Sequence, residues 1–420
     1  MKDLKSELQI YGGLNDIERP LVVSALLLAM QNYDCTQYPK LSFVKTRANL
    51  NKLVPELGMT PLKYFTEMLK GMDTRDIISG VYGNEYSYSG SNGHDLGIVL
   101  TPTHIVELCC ELLDLRSGDR VLEPCCGTGR FLVNAMRYVG DAVTGIEFQE
   151  NLYTLSSANV KINGGNASRV ILGDFFTEDL SGHGFTAGFM NPPYSQKVTE
   201  LVFIERLMNT LDTGGRAAVI VPVSAMIGKT KADKQLKAEI LRHHTLEGVI
   251  SLNKDTFYGV GTVPCIAIFV AGKPHPPKYK AKFVNFEDDG YEVKKHVGLL
   301  ATERAAERKK YLLECWRGER TDYRTAFMVK DTVEWSDEWL HSFYYYNDET
   351  PEEKNFVESI ADYLTFEANM IFHGRGYLFE GGETNADRTD QDTERRGRGA
   401  TESGQAIEEA PEQYRIVYDV

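Results

Sequence analysis

Two prolines behind an asparagine, at the end of an apolar run, carry the most definite chemistry in this sequence. Phe185-Thr186-Ala187-Gly188-Phe189-Met190 reads as a strand and runs directly into Asn191-Pro192-Pro193-Tyr194. Proline ends the strand and fixes the backbone, so the Asn191 side chain and the Pro192 carbonyl are held at a set separation, both as hydrogen-bond acceptors. Two acceptors can grip the two hydrogens of one amino group. An aromatic amine is a poor nucleophile because its lone pair is delocalised into the ring. Two acceptors favour a pyramidal nitrogen and release the lone pair for in-line attack on a methyl sulfonium. Such a site needs no general base before transfer and lowers the barrier through positioning and preorganised dipoles. Tyr194 would stack on the ring that carries the amine. The alternative is a plain proline-rich turn.

Three earlier strand ends supply a ligand site. Val121-Leu122-Glu123-Pro124-Cys125-Cys126-Gly127-Thr128-Gly129-Arg130-Phe131 follows a strand and opens a helix, where Gly127 and Gly129 let the backbone approach a ligand and Glu123 can meet a cationic or hydroxyl-bearing part of it. Glu147 stands eighteen residues beyond Gly129, at the end of the next strand, where a carboxylate can accept both hydroxyls of a ribose. Asp174, after a third strand, can accept from an exocyclic amine, and Phe175 can lie against a purine face. Singly, each is equally a tight turn or a helix-start acid; together they describe an adenosine. No third glycine follows in dinucleotide spacing, and the turn carries no Gly-Lys-Ser/Thr to cradle phosphates. An adenosine without a pyrophosphate points to S-adenosylmethionine.

These residues need a sheet to bring them together. Seven short β-rich runs (Arg120 to Glu123, Ala142 to Glu147, Arg169 to Leu172, Phe185 to Met190, Ala217 to Val221, Glu247 to Leu252, Val263 to Val270) alternate with helical segments, which predicts an α/β fold with a mainly parallel, Rossmann-like sheet of seven strands. Before it, Ile17 to Met30 and Thr60 to Met72 read as helices, and the Gly-, Ser-, Asn- and Tyr-rich stretch Gly80 to Gly97 as a boundary loop. A helix is expected to open at Thr101-Pro102, with Thr101 as N-cap and Pro102 at the first helical position. After the sheet, Ala281 to Phe286 and Tyr291 to Lys295 look like a hairpin, followed by a charged helix from about Leu300 to Arg317. The expected division is a helical N-terminal domain over 1–95, a catalytic domain over 96–275, a hairpin and helical extension over 276–378, and a disordered acidic tail over 379–420.

Taken together, the motifs resemble the amino-methylating DNA methyltransferases, specifically the modification subunits of type I restriction-modification systems, over nearly the whole stretch from Glu18 to Phe379. The order is that family's gamma-class arrangement. Gly97-Ile98-Val99-Leu100-Thr101-Pro102 looks like the element that touches the methionine part of the cofactor, and it precedes the glycine turn and the Asn-Pro-Pro-Tyr turn. The resemblance implies cofactor contacts from Thr101, Pro102, Glu123, Cys125, Gly127, Thr128, Gly129, Phe131, Glu147, Asp174 and Phe175, and a catalytic role for Asn191, Pro192, Pro193 and Tyr194. Phe257-Tyr258-Gly259-Val260-Gly261-Thr262-Val263-Pro264-Cys265 looks like the segment whose aromatic faces the flipped base; Phe257 takes that role, with Tyr258 as competitor and a core position as the alternative for both. The implied reaction is methyl transfer to N6 of an adenine extruded from duplex DNA, since N6 is unreachable inside the stack. Implied partners are a specificity subunit, two modification subunits serving each, and in complete systems a restriction nuclease subunit. Glu123 replaces an aspartate and Arg130 stands where many relatives have glycine. A protein glutamine-N5 methyltransferase, which shares the Asn-Pro-Pro-Tyr chemistry, is the competing reading.

Charge sharpens the partner question. The chain has 420 residues, 60 acids against 46 bases and a net charge of −14, of which −5 lies beyond residue 380. Phosphate neutralisation supplies much of nonspecific DNA affinity, and this chain has no basic excess to offer, so a basic, sequence-reading partner is expected. Lys229, Lys231, Lys234 and Lys237 could touch phosphates or form a solvated helix face. The longest apolar run, Pro20 to Met30, spans eleven residues, too few to cross a bilayer, and the N-terminus lacks a signal-peptide core, which predicts no membrane association and a cytoplasmic protein. Seven cysteines without a Cys-x-x-Cys pair, and nine histidines without metal spacing, read as reduced thiols and no metal site.

Overall fold

The computed structural model describes residues 4–15, 18–32, 48–70, 72, 77, 101–193, 198–257, 261–294, 298–346 and 353–372. Strands β1 (Val121–Glu123), β2 (Val143–Glu147), β3 (Val170–Leu172), β4 (Ala187–Met190), β5 (Arg216–Pro222), β6 (Thr245–Leu252) and β7 (Pro264–Val270) lie in the order β3-β2-β1-β4-β5-β7-β6. Neighbours from β3 to β5 are parallel, and β7 runs antiparallel between β5 and β6. This is the mainly parallel, Rossmann-like α/β sheet expected from the alternation.

Among the described residues the sheet has nine strands rather than seven. β8 (Ala281–Phe286) adds parallel to β6, and β11 (Met328–Asp331) adds antiparallel to β8. The hairpin expected between Ala281–Phe286 and Tyr291–Lys295 does not form. In β8, Ala281 and Phe283 join one core while Val284 and Phe286 join the other, and only a place inside the sheet covers both faces. The mostly exposed β9 (Tyr291–Lys294) pairs instead with β10 (Gly298–Ala301) in a separate two-stranded sheet.

At the N-terminus lie α1 (Leu4–Ile10), α2 (Glu18–Met30), α3 (Ala48–Asn51) and α4 (Pro61–Lys70). Asn15 and Glu18 start α2 reciprocally: the Asn15 side chain accepts the Glu18 amide at 2.9 Å, and the Glu18 carboxylate accepts the Asn15 amide at 3.1 Å. Along the sheet follow α5 (Thr103–Leu112), α6 (Arg130–Val139), α7 (Glu150–Ile162), α8 (Glu200–Thr210), α9 (Val223–Ile227), α10 (Lys231–His243), α11 (Ala305–Arg317) and α12 (His341–Tyr344). The charged helix therefore begins at Ala305, not Leu300.

Three cores hold these elements. Alternate strand residues such as Val121, Phe189 and Ile220 pack with α5, α6 and α11, whereas Leu122, Met190 and Val221 pack with α8 and α10 on the opposite face. A third core joins α2 and α4 to Leu152, Leu155, Ala158 and Ile162 of α7. The N-terminal helices thus brace the helix that follows Glu147.

Residues from Asp348 onward form a separate unit. Its helix α13 (Glu353–Phe372) leaves Phe356, Ile360, Tyr363, Leu364 and Phe372 each more than half exposed. Among the described residues, no helix is long and apolar enough to cross a membrane. The Gly80 to Gly97 loop and the 379–420 tail lie outside the described residues.

Candidate active site

The strand ends that carry the expected chemistry meet at the carboxyl edge of the sheet. After β1, Pro124 to Gly129 turns back on itself: the Gly129 amide donates to the Cys126 carbonyl at 2.7 Å, and the Cys126 amide to the Ile146 carbonyl at 3.0 Å. Gly127 (φ 52°) and Gly129 (φ 75°) are left-handed, and a Cβ on Gly129 would lie 3.0 Å from the Ser156 Cβ. Glycine is therefore required at 129 by both conformation and space. Asn159 of α7 donates to the Thr128 carbonyl at 2.9 Å and backs the turn from behind.

Two carboxylates hold this turn. Glu147 is 7 % exposed; its Oε2 accepts the Gly127 amide at 2.9 Å and its Oε1 the Gln149 amide at 2.8 Å. Burial raises its carboxyl above the usual glutamate range, while the amides of Gln149, Gly127 and Phe148 oppose the rise. Glu123 accepts the Leu132 amide at 3.2 Å, inside the first turn of α6. Burial pushes it well above the ordinary value, the Leu132 amide opposes this, and Glu147 adds to it. Asp174 accepts the Phe176 amide at 3.0 Å. The Cys125 thiol in this turn is pushed far up by burial and then by Glu147, Glu123 and Asp174.

Asn191 follows β4, which lies between β1 and β5. Its Nδ2 donates to the Thr101 hydroxyl at 3.1 Å, and Arg130 Nη1 donates to the Thr101 carbonyl at 2.5 Å. Burial lowers the Arg130 guanidinium to about 10. Thr101 is consequently not the N-cap. Pro102 takes that place with extended backbone (φ −59°, ψ 145°) and no side-chain cap bond, because the Thr101 hydroxyl faces Asn191. Pro192 is buried and Pro193 exposed, while Tyr194 lies outside the described residues.

The aromatic candidates fall elsewhere. Phe131 is 1 % exposed and stacks on Phe189 with centroids 3.9 Å apart, so its ring belongs to the core beneath the turn. Phe175 is also core, with the Arg206 guanidinium 5.7 Å from its ring. Neither ring presents a face to a ligand, because apolar packing at a helix start or turn claims it first. Phe257 is equally buried, at 4 %, in the core that also holds Phe131, which is the core position expected as its alternative, and its neighbour Tyr258 lies outside the described residues. One exposed ring escaped notice: Phe148, directly after Glu147, is 75 % exposed, and Leu172, opposite Glu147 in the parallel register, is 48 % exposed. A large aromatic directly after the acid of a strand end was the available signal.

The lysine run divides. Lys229 and Lys231 are exposed, but Lys237 is fully buried; its Nζ donates to the carbonyls of Met226 (2.9 Å), Ile227 (3.3 Å) and Asp337 (2.5 Å) and sits 4.4 Å from the Trp339 ring. The triplet Gly228-Lys229-Thr230 serves two helix ends, Gly228 capping α9 and Thr230 forming a capping box with Asp233 on α10.

The sequence matches the N-6 DNA Methylase family over residues 73–200 and 196–354. It is 38 % identical over 454 residues to the type II restriction enzyme and methyltransferase RM.BcgI of Heyndrickxia coagulans, covering 91 % of this chain and 71 % of that protein. It is 26 % identical over 285 residues to the type I restriction enzyme MjaVII methylase subunit of Methanocaldococcus jannaschii, covering 56 % of this chain and 49 % of that subunit, about half its length. The fold is shared with the type I restriction-modification system methyltransferase subunit from Streptococcus thermophilus, with a TM-score of 0.54, 16 % identity, and 75 % of this chain and 77 % of that one covered. The chain belongs to the N-6 DNA methylase family, among the methylases of restriction-modification systems. A protein glutamine methyltransferase is not favoured.

Proposed function

We propose that the chain transfers a methyl group from S-adenosylmethionine to N6 of an adenine flipped out of duplex DNA, as the modification component of a restriction-modification system. The observation that carries this reading is the position of Asn191, which follows β4 at the same carboxyl edge where Glu123 and Glu147 end β1 and β2 and Asp174 follows β3. The residues fit the cofactor. Three acids suit a cationic ligand, Glu147 keeps lone pairs for ribose hydroxyls beyond the backbone amides it accepts, and Phe148 with Leu172 offers apolar surface for a purine. When bound, S-adenosylmethionine supplies an electrophilic methyl group on a cationic sulfur.

The protein's part is to hold the amine. Asn191 Oδ1 and the Pro192 carbonyl accept its two hydrogens, keep the nitrogen pyramidal and aim its lone pair; the proton leaves after transfer, when the nitrogen is cationic and acidic. Tyr194 stacks on one face of the base, and Phe257, or Tyr258 beside it, closes the other. Thr101 and Pro102 line the methionine end, and the backbone around Cys125, Gly127, Thr128 and Gly129 lies against the ligand, with Phe131 and Phe175 as the core beneath. Sequence reading falls to a specificity subunit, with two modification subunits to each and a restriction nuclease completing the system. The acidic balance and the exposed apolar residues of α13 support a partner of this kind. The expected compartment is the cytoplasm, where the DNA lies, and the expected domain division is that given above.

The test is to supply methyl-labelled S-adenosylmethionine to the chain co-purified with the product of its neighbouring gene, with duplex DNA and a release-factor-like protein as competing substrates. Label in N6-methyladenine is the expected result. Label in the protein would overturn the reading.

A further inference from the structure

Phe257 follows a tight turn that is set from outside its own strand. Asn253, the residue after β6, closes this turn: its Oδ1 accepts the Asp255 amide at 2.9 Å, and its carbonyl accepts the Thr256 amide at 3.0 Å and the Thr256 hydroxyl at 2.7 Å. The Asn253 amide nitrogen reaches the other way, donating to Asp289 Oδ1 at 3.0 Å and to the Tyr291 carbonyl at 3.2 Å. Asp289 Oδ1 also accepts the Tyr291 amide at 2.9 Å. Asp289 is only 2 % exposed, and among the described residues its Oδ2 has no hydrogen-bond partner. A buried acid with one bare oxygen is destabilising, and burial raises its carboxyl accordingly. What it achieves is to fix Asn253, and with it the entry to Phe257.

The same corner is keyed to the catalytic turn. Tyr291 stacks on His104 with centroids 3.8 Å apart and 16° between the planes. His104 is lowered to about 4 by burial, then by Lys309 and Arg130, so the stack at neutral pH is between uncharged rings. His104 lies in the first turn of α5, three residues after Thr101, whose hydroxyl accepts from Asn191. One helix start therefore touches Asn191 directly and the Phe257 turn through Tyr291 and Asn253.

We propose that Asn253 and Asp289 are positioning residues for methyl transfer, holding the Phe257 segment in register with Asn191 through Tyr291 and His104. This rests on the reading of Phe257 as the ring that faces the base. Oδ1 of Asp289 does the positioning, so its charge is dispensable and its acceptor is not.

The test uses the full chain co-purified with its neighbouring-gene product, and genomic DNA from cells carrying Asn191→Ala as unmethylated substrate. Asp289→Leu removes the acceptor and is expected to lower kcat by about tenfold or more, as misplacement of a reacting group does. Cofactor Kd should stay within about twofold, the mark of an interaction realised in transfer rather than in cofactor binding. Asp289→Asn keeps Oδ1 and is expected to retain kcat within about threefold. Asn253→Ser, which keeps a turn acceptor but cannot reach Asp289, should fall with Asp289→Leu and serves where the leucine variant fails to fold. Wild-type kcat in Asp289→Leu and Asn253→Ser, a parallel loss of cofactor binding, or an Asn variant as impaired as Leu would overturn the proposal. Phe257→Ala separates the two readings: an unchanged rate removes the base-facing role and the positioning role together, whereas a loss there beside an unimpaired Asp289→Leu removes positioning alone.

Discussion

Asn191 donates through Nδ2 to the hydroxyl of Thr101 at 3.1 Å, joining the Asn-Pro-Pro turn to a residue 90 positions earlier in the chain. With Nδ2 donating to Thr101, Oδ1 is the atom that the proposed reaction uses to accept a hydrogen from an amine. On the proposed reading, the residue at the methionine end of the cofactor also orients the acceptor for the substrate.

Thr101→Val should lower kcat, because the amide loses the hydroxyl that fixes its orientation, and Thr101→Ser should restore it. Single-turnover rates at saturating cofactor check this. Equal rates in the valine and serine variants would refute the orienting role.

Asn191→Ala should bind cofactor as the wild type does and lose methyl transfer, since one of the two acceptors is gone. Calorimetry and label incorporation separate the two properties, and a matching loss of cofactor affinity would move Asn191 into cofactor binding.

Glu147→Ala should weaken cofactor binding by about 1.5 to 3 kcal/mol, the range for hydrogen bonds to a charged acceptor. Its carboxyl is raised in the folded protein, so between the ordinary glutamate value and the raised one the folded state holds the extra proton. Its contribution to stability therefore falls as pH rises through that window. Cofactor affinity has the opposite sense: ribose hydroxyls favour the carboxylate, so affinity falls as pH drops through the raised value. Calorimetry across pH should show both trends, and Glu147→Gln should abolish them.

Lys237→Ala should destabilise the protein by about 2 to 4 kcal/mol, because three carbonyls lose their donor and a cavity opens beside Trp339. The salt dependence of DNA binding by the assembled enzyme should not change. A shallower salt slope would restore Lys237 to the phosphate contacts.

The strand ends were legible because turns and acids recur at fixed places after apolar runs. Glu123 and Glu147 end, and Asp174 follows, three strands that pair side by side, and Asn191 follows the strand on the other side of β1. Side-chain direction was less legible. Thr101-Pro102 reads locally as a cap, and only the partner 90 positions away shows that the hydroxyl is used across the site. Phe131 and Phe175 have the right type and place for a ligand contact, yet the core takes their rings while Phe148 stays exposed. Ala281–Phe286 has a turn signal after it that mimics a hairpin, and its two apolar faces were the evidence that it belonged in the sheet. Lysine spacing likewise cannot distinguish Lys237, 0 % exposed, from its solvated neighbours.

Methylation of adenine N6 in DNA through Asn191 is tested directly by sequencing methylated adenines in cells expressing the chain with its neighbouring-gene product, in parallel with cells expressing the Asn191→Ala variant. N6-methyladenine at one recurrent sequence, absent from the variant, is expected. Methylation that persists in the variant, or none at adenine in the wild type, would contradict it.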